Sequence, residues 1–417
     1  MEEAVVMTRV AEPEAEPYSL EPRRRAAGDA ALPWSRGWLL TDEQRAEFRT
    51  RSEASHQAKV MAVAGLGPEP AHPTYIPRFR PEPLMSRLAS NGLRSLSLFS
   101  GGGGLDLGFD LAGFDHVASY DIIPVAGDTL RANRPAWSVF SGDDGDVTRV
   151  DWRGFRGKVD LIHGGPPCQP FSVAGYQMGK EDMRDMFPEF VRAVLEIKPK
   201  AFVAENVPAL ASNKFRQYVE QTILQPLAAD YTVTMFKLSA DWFGVPQNRT
   251  RVVFVGFADS NVAKRYNPPV RTHYSFHLRQ QTPSFEELLD DLPPCMGTRE
   301  ALGLPNIGFD LLAPTLRSGF TGPHRTTSVV NSVAAVGTWR SLGIWPHGVA
   351  ASREAASRFV AKNEEFRLSV PDCALLQGFP ESWKFAGGAV YAALGQIGNS
   401  VVPPMGYRLA VSVTQAF

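Results

Sequence analysis

The stretch GGPPCQPFS, residues 164–172, places Cys168 on a proline-punctuated loop directly after the apolar run VDLIH. A thiol is a weak nucleophile until it ionises, and a neighbouring acid or base changes what it can attack. The tripeptide alone decides nothing, because it returns around Cys295 in LPPCMG. Setting separates the copies: Cys168 follows a strand-like run, whereas Cys295 follows SFEELLDDLPP, a short helix and a turn. Cys373, in PDCALLQ, lies on an apolar helical face where packing is the default. Cys168 is therefore the reactive candidate. Glu205, in AENVPAL, is the second one. Its bland reading is a surface carboxylate, but it sits just past the apolar AFVA, where a charge needs a partner or a purpose.

A third chemically able segment is LFSGGGGLDLGF, whose glycines let a ligand approach the backbone closely. It lacks a Gly-Lys-Ser/Thr ending and nearby basic residues, so a nucleoside-type cofactor without phosphates fits better than a nucleotide. Asp121 follows about 20 residues later, where a carboxylate can accept hydrogen bonds from ribose hydroxyls. Asp146, in SGDDGDVT, is placed to receive an adenine amino group. Taken singly, each acid reads more readily as a solvated loop residue or a helix cap.

The elements that must position these residues begin at Arg94. RSLSLFS, DHVASYD, WSVF, VDLIH, AFVAE, YTVTMFKLS and VVFVGF read as strands. LDLGFDLAG, PVAGDTLRANR, MFPEFVRAVLEI and FRQYVEQTILQPLAA read as helices between them. The alternation predicts an α/β fold, a mostly parallel, doubly wound, Rossmann-like sheet. Ligands bind outside the carboxyl ends of such strands, which puts the loops after Ser100, Tyr120, Phe140, His163 and Ala204 on one rim. After Phe257 the alternation stops, and Gly-, Pro-, Thr- and Ser-rich sequence predicts a separate, irregular lobe. The expected division is an N-terminal extension over 1–93, a catalytic domain over 94–257, a smaller domain over 258–385 and a returning segment over 386–417. The extension has Pro-, Glu- and Arg-rich sequence expected to be disordered, one amphipathic helix opened by a capping box at Thr41 and Gln44, and a proline-rich linker. Removing residues 1 to about 85 is expected to leave catalysis intact, since no core-forming pattern is visible there.

Composition bounds the partners. With 43 Lys and Arg against 44 Asp and Glu, the net charge of −1 argues against a polybasic nucleic-acid binder. A local patch remains open, because Leu311–Arg353 has no acid but contains Arg317, His324, Arg325, Arg340, His347 and Arg353. Its bland reading is an uncharged surface loop region. Three cysteines make no disulfide framework and match no zinc spacing, so no metal is expected and a reducing, cytoplasmic setting follows. No stretch has the length of a membrane span, and the acidic N-terminus does not read as a signal peptide.

Over residues 94–256 and 366–410 the chain resembles the DNA cytosine-5 methyltransferases. Phe99–Gly104 resembles the cofactor loop, GGPPCQPFS the nucleophile loop, and Glu205–Val207 the acid motif. Gln247, Arg249 and Arg251 match a Gln-x-Arg-x-Arg segment, and LLQGFPESWKF and QIGNSVVPP match the two closing motifs. The resemblance implies S-adenosylmethionine lying against Phe99, Gly101, Gly102, Gly104, Asp121, Ile122, Asp146, Val147 and Pro167, closed by Asn399, Ser400 and Val401. It implies attack by Cys168 on carbon 6 of a flipped-out cytosine, with Glu205 at nitrogen 3 and Arg251, beside Arg249, at the base oxygen. In such a family the lobe after Phe257 is a target-recognition domain, and Gln169, Ser172, Thr315, Arg317 and Arg325 are the implied DNA contacts. Two positions depart from the family pattern: Asp121 is one methylene shorter than the usual Glu, and Ile122 replaces an aromatic that stacks on adenine.

The implied partner is double-stranded DNA. The chain is expected to be a cytoplasmic monomer, serving a restriction–modification system without a stable complex with a companion endonuclease. Three rival readings stand beside this one. An RNA cytosine-5 methyltransferase would share the architecture. A silent DNA-binding regulator would have no need of Cys168, Glu205 and Arg251 together. An NAD-linked oxidoreductase would leave Cys168 and Arg251 without work.

Overall fold

The computed structural model describes residues 75–167, 185–276, 292–317, 327–358 and 365–417, together with isolated positions between 46 and 66. Eleven strands occur among them: β1 (Arg94–Leu98), β2 (Asp115–Asp121), β3 (Val139–Ser141), β4 (Leu161–Gly164), β5 (Ala201–Asn206), β6 (Thr232–Ser239), β7 (Gln247–Asn248), β8 (Thr250–Phe257), β9 (Ala313–Pro314), β10 (Ile344–Ala350) and β11 (Phe366–Ser369). Seven of them form one sheet in the order β3-β2-β1-β4-β5-β8-β6. The pairs from β3 through β5 are parallel, and β8 runs antiparallel between β5 and β6. Central strands β4 and β5 are buried along their whole length, as continuous apolar runs in a sheet covered on both faces should be.

Side-chain alternation splits the sheet's core in two. Leu161, Val203, Val253 and Val255 face one cluster, which includes helices Gly104–Leu111 and Pro403–Ala416. Ile162, Phe202, Ala204, Val252 and Phe254 face the other, which includes helix Phe187–Ile197 and the helical run Arg216–Leu227. Gly108 lets the first pair of helices touch: a Cβ there would lie 2.5 Å from the Tyr407 backbone nitrogen.

Three differences from the sequence reading have packing causes. Phe79 and Met85 are buried in the first cluster, Arg78 and Phe79 donate backbone N–H groups to the Ala301 carbonyl, and the Tyr407 hydroxyl donates to the Ser86 carbonyl. Residues 75–93 are thus a strap on the core, and a deletion to residue 85 would remove part of it. The expected helix after Thr41 is helical at Ala46, Thr50, Glu53, Gln57, Val60 and Met61, while Thr41 and Gln44 lie outside the described residues.

Packing also does not change at the expected boundaries. Helix Ser260–Arg265 stays on the sheet, with Tyr266 5.1 Å from the Phe257 ring and Arg265 donating to the Ala416 carbonyl. The lobe beyond it is more regular than its Gly- and Pro-rich sequence suggests. Helix Val333–Ser341 brings Trp339 into the first cluster, and β10 pairs in parallel with β11. No helix among the described residues is long and apolar enough to cross a membrane.

Candidate active site

At the end of β1 the chain turns sharply. Phe99, Gly101 and Gly103 all adopt positive φ, of 56°, 55° and 80°. Such a conformation is uncommon for a phenylalanine and must be held by its surroundings. The Ser100 backbone donates to the Tyr120 carbonyl at 3.2 Å, and the Gly101 N–H donates to Asp121 Oδ2 at 2.7 Å. From the far end of the chain, Trp383 Nε1 donates to the Gly102 carbonyl at 3.0 Å.

The C-terminal segment closes on this loop. A Cβ on Gly104 would lie 2.0 Å from the Val401 carbonyl oxygen, and one on Gly102 would lie 2.6 Å from Ser400 Oγ. Only glycine permits this approach. At Gly101, by contrast, a Cβ would meet nothing within 4 Å, so that side of the loop is open.

Around the open side stand the ends of β2 and β3. Asp121 uses both oxygens locally: besides Gly101, the Ile123 N–H donates to Oδ1 at 2.8 Å. Burial pushes its carboxyl up, and the two backbone donors oppose this. Ile122 and Phe140 are 56% and 39% exposed, unusual for large apolar side chains, and Phe140 stacks on Tyr120. They form an apolar shelf. Asp146 accepts from Thr148 N and Oγ1 as a local cap, and Val147 beside it is buried. Asn399 is exposed at the end of helix Val390–Asn399.

The other half of the rim depends on the reversal of β8. Glu205 is the last residue but one of β5, Arg251 the second of β8, and register pairs Glu205 with Val253. Running antiparallel, β8 starts where β5 finishes, so Arg251 Nε lies 2.8 Å from Glu205 Oε1. Both side chains are buried, at 11% and 9% exposure. Burial pushes the Glu205 carboxyl up, while the positive charges of Arg251 and Arg249 pull it down. Arg251 in turn is lowered by burial and raised by Glu205.

The loop from β4 arrives against this pair. A Cβ on Gly165 would lie 3.3 Å from Glu205 Oε2, and Asn206 Nδ2 donates to the Pro166 carbonyl at 3.0 Å. Met186 N meets the Pro167 carbonyl at 3.4 Å. Cys168, Gln169, Ser172 and Arg325 lie outside the described residues. Cys295 and Cys373 are both buried, the latter with its thiol pushed well above the ordinary range by burial.

Arg249 is only 1% exposed and reaches away from the rim, donating through Nη2 to the carbonyls of Gly398 and Ser400. Thr315 Oγ1 donates to the Asn248 carbonyl at 2.6 Å, and the Arg317 backbone donates to Val329. Part of the acid-free stretch is neutralised from outside it: Arg353 pairs with Asp372 at 2.8 Å and Glu381 at 2.7 Å. His347 is half-buried beside Ser328, its pKa lowered by burial and by Arg340.

Sequence reasoning gave no role to Phe140, Trp383, Gln247 or Gln377. Phe140 had a usable signal, an aromatic at a strand end beside the Asp121 rim. The two glutamines lie in motifs that the resemblance covers, but their roles were not legible, since they depend on contacts distant along the chain.

The profile for the C-5 cytosine-specific DNA methylases matches residues 93–415, most of the chain. The chain belongs to this family. It is 35% identical over 341 residues to the Type II methyltransferase M.NgoMIV of Neisseria gonorrhoeae, covering 77% of this chain and 97% of that protein. Identity to the Type II methyltransferase M.PspPI of Psychrobacter sp. is 32%, covering 76% and 77%, and to M.Eco47II of Escherichia coli 31%, covering 79% and 80%. The protein is a DNA cytosine-5 methyltransferase, with DNA as its substrate and a methyl-donor cofactor. The RNA-modifying and catalytically silent readings are not favoured.

Proposed function

We propose that this methyltransferase modifies carbon 5 of one cytosine in a specific duplex sequence, with S-adenosylmethionine as donor, for a restriction–modification system. The names of its relatives support the biological setting. The observation that carries the chemistry is the buried Glu205–Arg251 pair, set against Gly165 at the start of the loop that leads to Cys168.

Cofactor fit rests on three features: the open side at Gly101, the exposed apolar shelf of Ile122 and Phe140, and a loop without basic residues. Phe99, Gly101, Gly102, Gly104, Asp121, Ile122, Asp146, Val147 and Pro167 would hold it, with Asn399, Ser400 and Val401 closing the site. When bound, it supplies an electrophilic methyl group.

The remaining chemistry belongs to the chain. Cys168 adds to carbon 6 of the flipped base, and electron density moves onto the ring and into carbon 5. Glu205, sharing a proton at nitrogen 3, relieves the charge that develops, and Arg251 holds the base oxygen. Carbon 5 takes the methyl group, and loss of its proton to solvent then restores the ring double bond and lets the thiolate leave. Arg249 acts from behind, through the backbone it grips. Burial and the arginines act on Glu205 in opposite directions, which suits a group that must both keep and share a proton.

The lobe beyond helix Ser260–Arg265 serves as the target-recognition domain, and Gln169, Ser172, Thr315, Arg317 and Arg325 as DNA contacts. The Thr315 tether to Asn248 would hold the start of the recognition loop beside the catalytic arginines. The enzyme works in the cytoplasm as a monomer, without a stable complex with its companion endonuclease.

Bisulfite sequencing of DNA from cells expressing the protein tests this reading. Conversion-resistant cytosines should appear at one short sequence and vanish with Cys168→Ser. Fully converted DNA beside methylated tRNA would overturn it.

A further inference from the structure

Arg249 is a buried guanidinium with an unusual distribution of partners. Both of its hydrogen bonds come from Nη2, to the Gly398 carbonyl at 3.1 Å and the Ser400 carbonyl at 2.8 Å. Nε and Nη1 are buried and have no hydrogen-bond partner among the described residues. A buried charge left partly unpaired is costly, and a neutral side chain would anchor a turn more cheaply. One already does. Gln377 Nε2 donates to the same Ser400 carbonyl at 2.7 Å, and its Oε1 accepts from Gln247 Nε2 at 3.0 Å. The Ser400 carbonyl therefore does not depend on the arginine alone.

Chain position supplies the second link: Arg249 directly precedes β8, two residues before the Arg251 that pairs with Glu205. Its positive charge also holds the Glu205 carboxyl down against the effect of burial. Its other end grips the turn that walls the glycine loop, through Ser400 Oγ against Gly102 and the Val401 carbonyl against Gly104. One continuous path thus runs from the glycine loop, through residues 398–401 and Arg249, to the Glu205–Arg251 pair.

We infer that Arg249 and Gln377 are positioning residues that couple the glycine loop to the Glu205–Arg251 pair, so that cofactor and target base each strengthen binding of the other. This rests on the two sites proposed above. Neither residue is assigned a contact with cofactor or base; both act through the Ser400 carbonyl. The coupling must be reciprocal, and factors of about 5 to 150 are typical of such linkage.

The test uses the full-length protein, S-adenosylhomocysteine as an unreactive cofactor, and a duplex carrying the sequence found by bisulfite sequencing. Each dissociation constant is measured alone and with the other ligand saturating. The wild type should show a coupling factor of about 5 or more in both directions. Gln377→Met, which keeps the volume but loses the donor to Ser400, should hold each separate affinity within about threefold and bring the factor close to 1. Arg249→Lys keeps the charge but cannot span both carbonyls, and should give an intermediate factor. If Arg249→Lys fails to fold, Gln377→Met decides alone.

A wild type that binds neither ligand sinks the proposed function, and the inference with it. A wild type that binds both with a coupling factor of 1 overturns only the inference. So does a Gln377→Met protein that keeps the wild-type factor, because the glutamine is then packing and nothing more.

Discussion

The two halves of the rim are built from different materials. On the parallel side, β3-β2-β1-β4, the site is mostly backbone: glycines at positive φ, a loop tied to Asp121, and a turn pressed close enough to exclude any Cβ. On the reversed side, β5-β8-β6, it is side-chain charge: Glu205, Arg251 and Arg249, all buried. A neutral, shape-selective cradle suits a molecule to be held in one pose. A charged, dehydrated pair suits a ring whose charge must change. The halves should therefore fail differently when broken.

The largest effects belong to the charged side and to the β4 loop that meets it. Cys168→Ser should abolish methyl transfer, while Cys295→Ser and Cys373→Ser, whose thiols are buried away from the rim, should keep measurable activity. Glu205→Gln should lower single-turnover methyl transfer by about 10²-fold or more, because an amide can hydrogen-bond but cannot share the proton. Cofactor affinity should barely move. If affinity collapses while the chemical step keeps its rate, Glu205 is a structural carboxylate and the contrast between the halves is false.

Gly104→Ala tests the cradle. Its new methyl would sit 2.0 Å from the Val401 backbone oxygen, which no rotamer can relieve. The 398–401 turn must back away, and overpacking of this kind costs about 1–3 kcal/mol. We expect about a tenfold loss of cofactor affinity, with saturating cofactor restoring most of the turnover. Isothermal titration beside turnover at high cofactor concentration checks it; unchanged affinity would mean that the turn does not shape the cofactor site.

The cradle was far more legible in the sequence than the charged pair, for a physical reason. A strand followed by glycines is a local pattern, and every strand of the large sheet could be read from its own residues. Strand direction is not local. Nothing in VVFVGF says that β8 runs against β5, yet that reversal brings Arg251 to Glu205. Asp121 reads two ways in the sequence, as a ribose acceptor and as a cap, and the Gly101 and Ile123 N–H groups donate to its two oxygens, the latter in a common local turn.

The strap over 75–93 was missed because isolated Phe79 and Met85 among prolines make no periodic signal. A sharper pair of truncations follows. Removal of residues 1–74 should preserve folding and turnover, whereas removal of 1–92 should lower the melting temperature by several degrees or more, since two core side chains leave together. Equal melting temperatures would show that the strap is dispensable.

One more contrast separates two buried carboxyls. Glu205 has arginines beside it, whereas Asp106, beneath the cradle, has the hydroxyls of Ser119, at 2.9 Å, and Ser97. Burial pushes Asp106 up to about 6. Below about pH 4, native and unfolded chains both hold this proton. Between there and pH 6 the unfolded chain has lost it and the native chain keeps it, so stability falls as pH rises. Above pH 6 the native chain carries a buried carboxylate at a cost of about 3 kcal/mol. Asp106→Asn removes that ionisation, so its melting temperature should gain on the wild type as pH rises from 4 to 7. His163 and His116, held neutral by burial down to about 3 and about 4, change stability in the opposite direction over the same range. Both proteins contain them, so the difference between the two melting curves isolates Asp106. A difference that stays flat from pH 4 to 7 would mean that the Asp106 carboxylate is solvated, and that the cradle tolerates charge as readily as the other half of the rim.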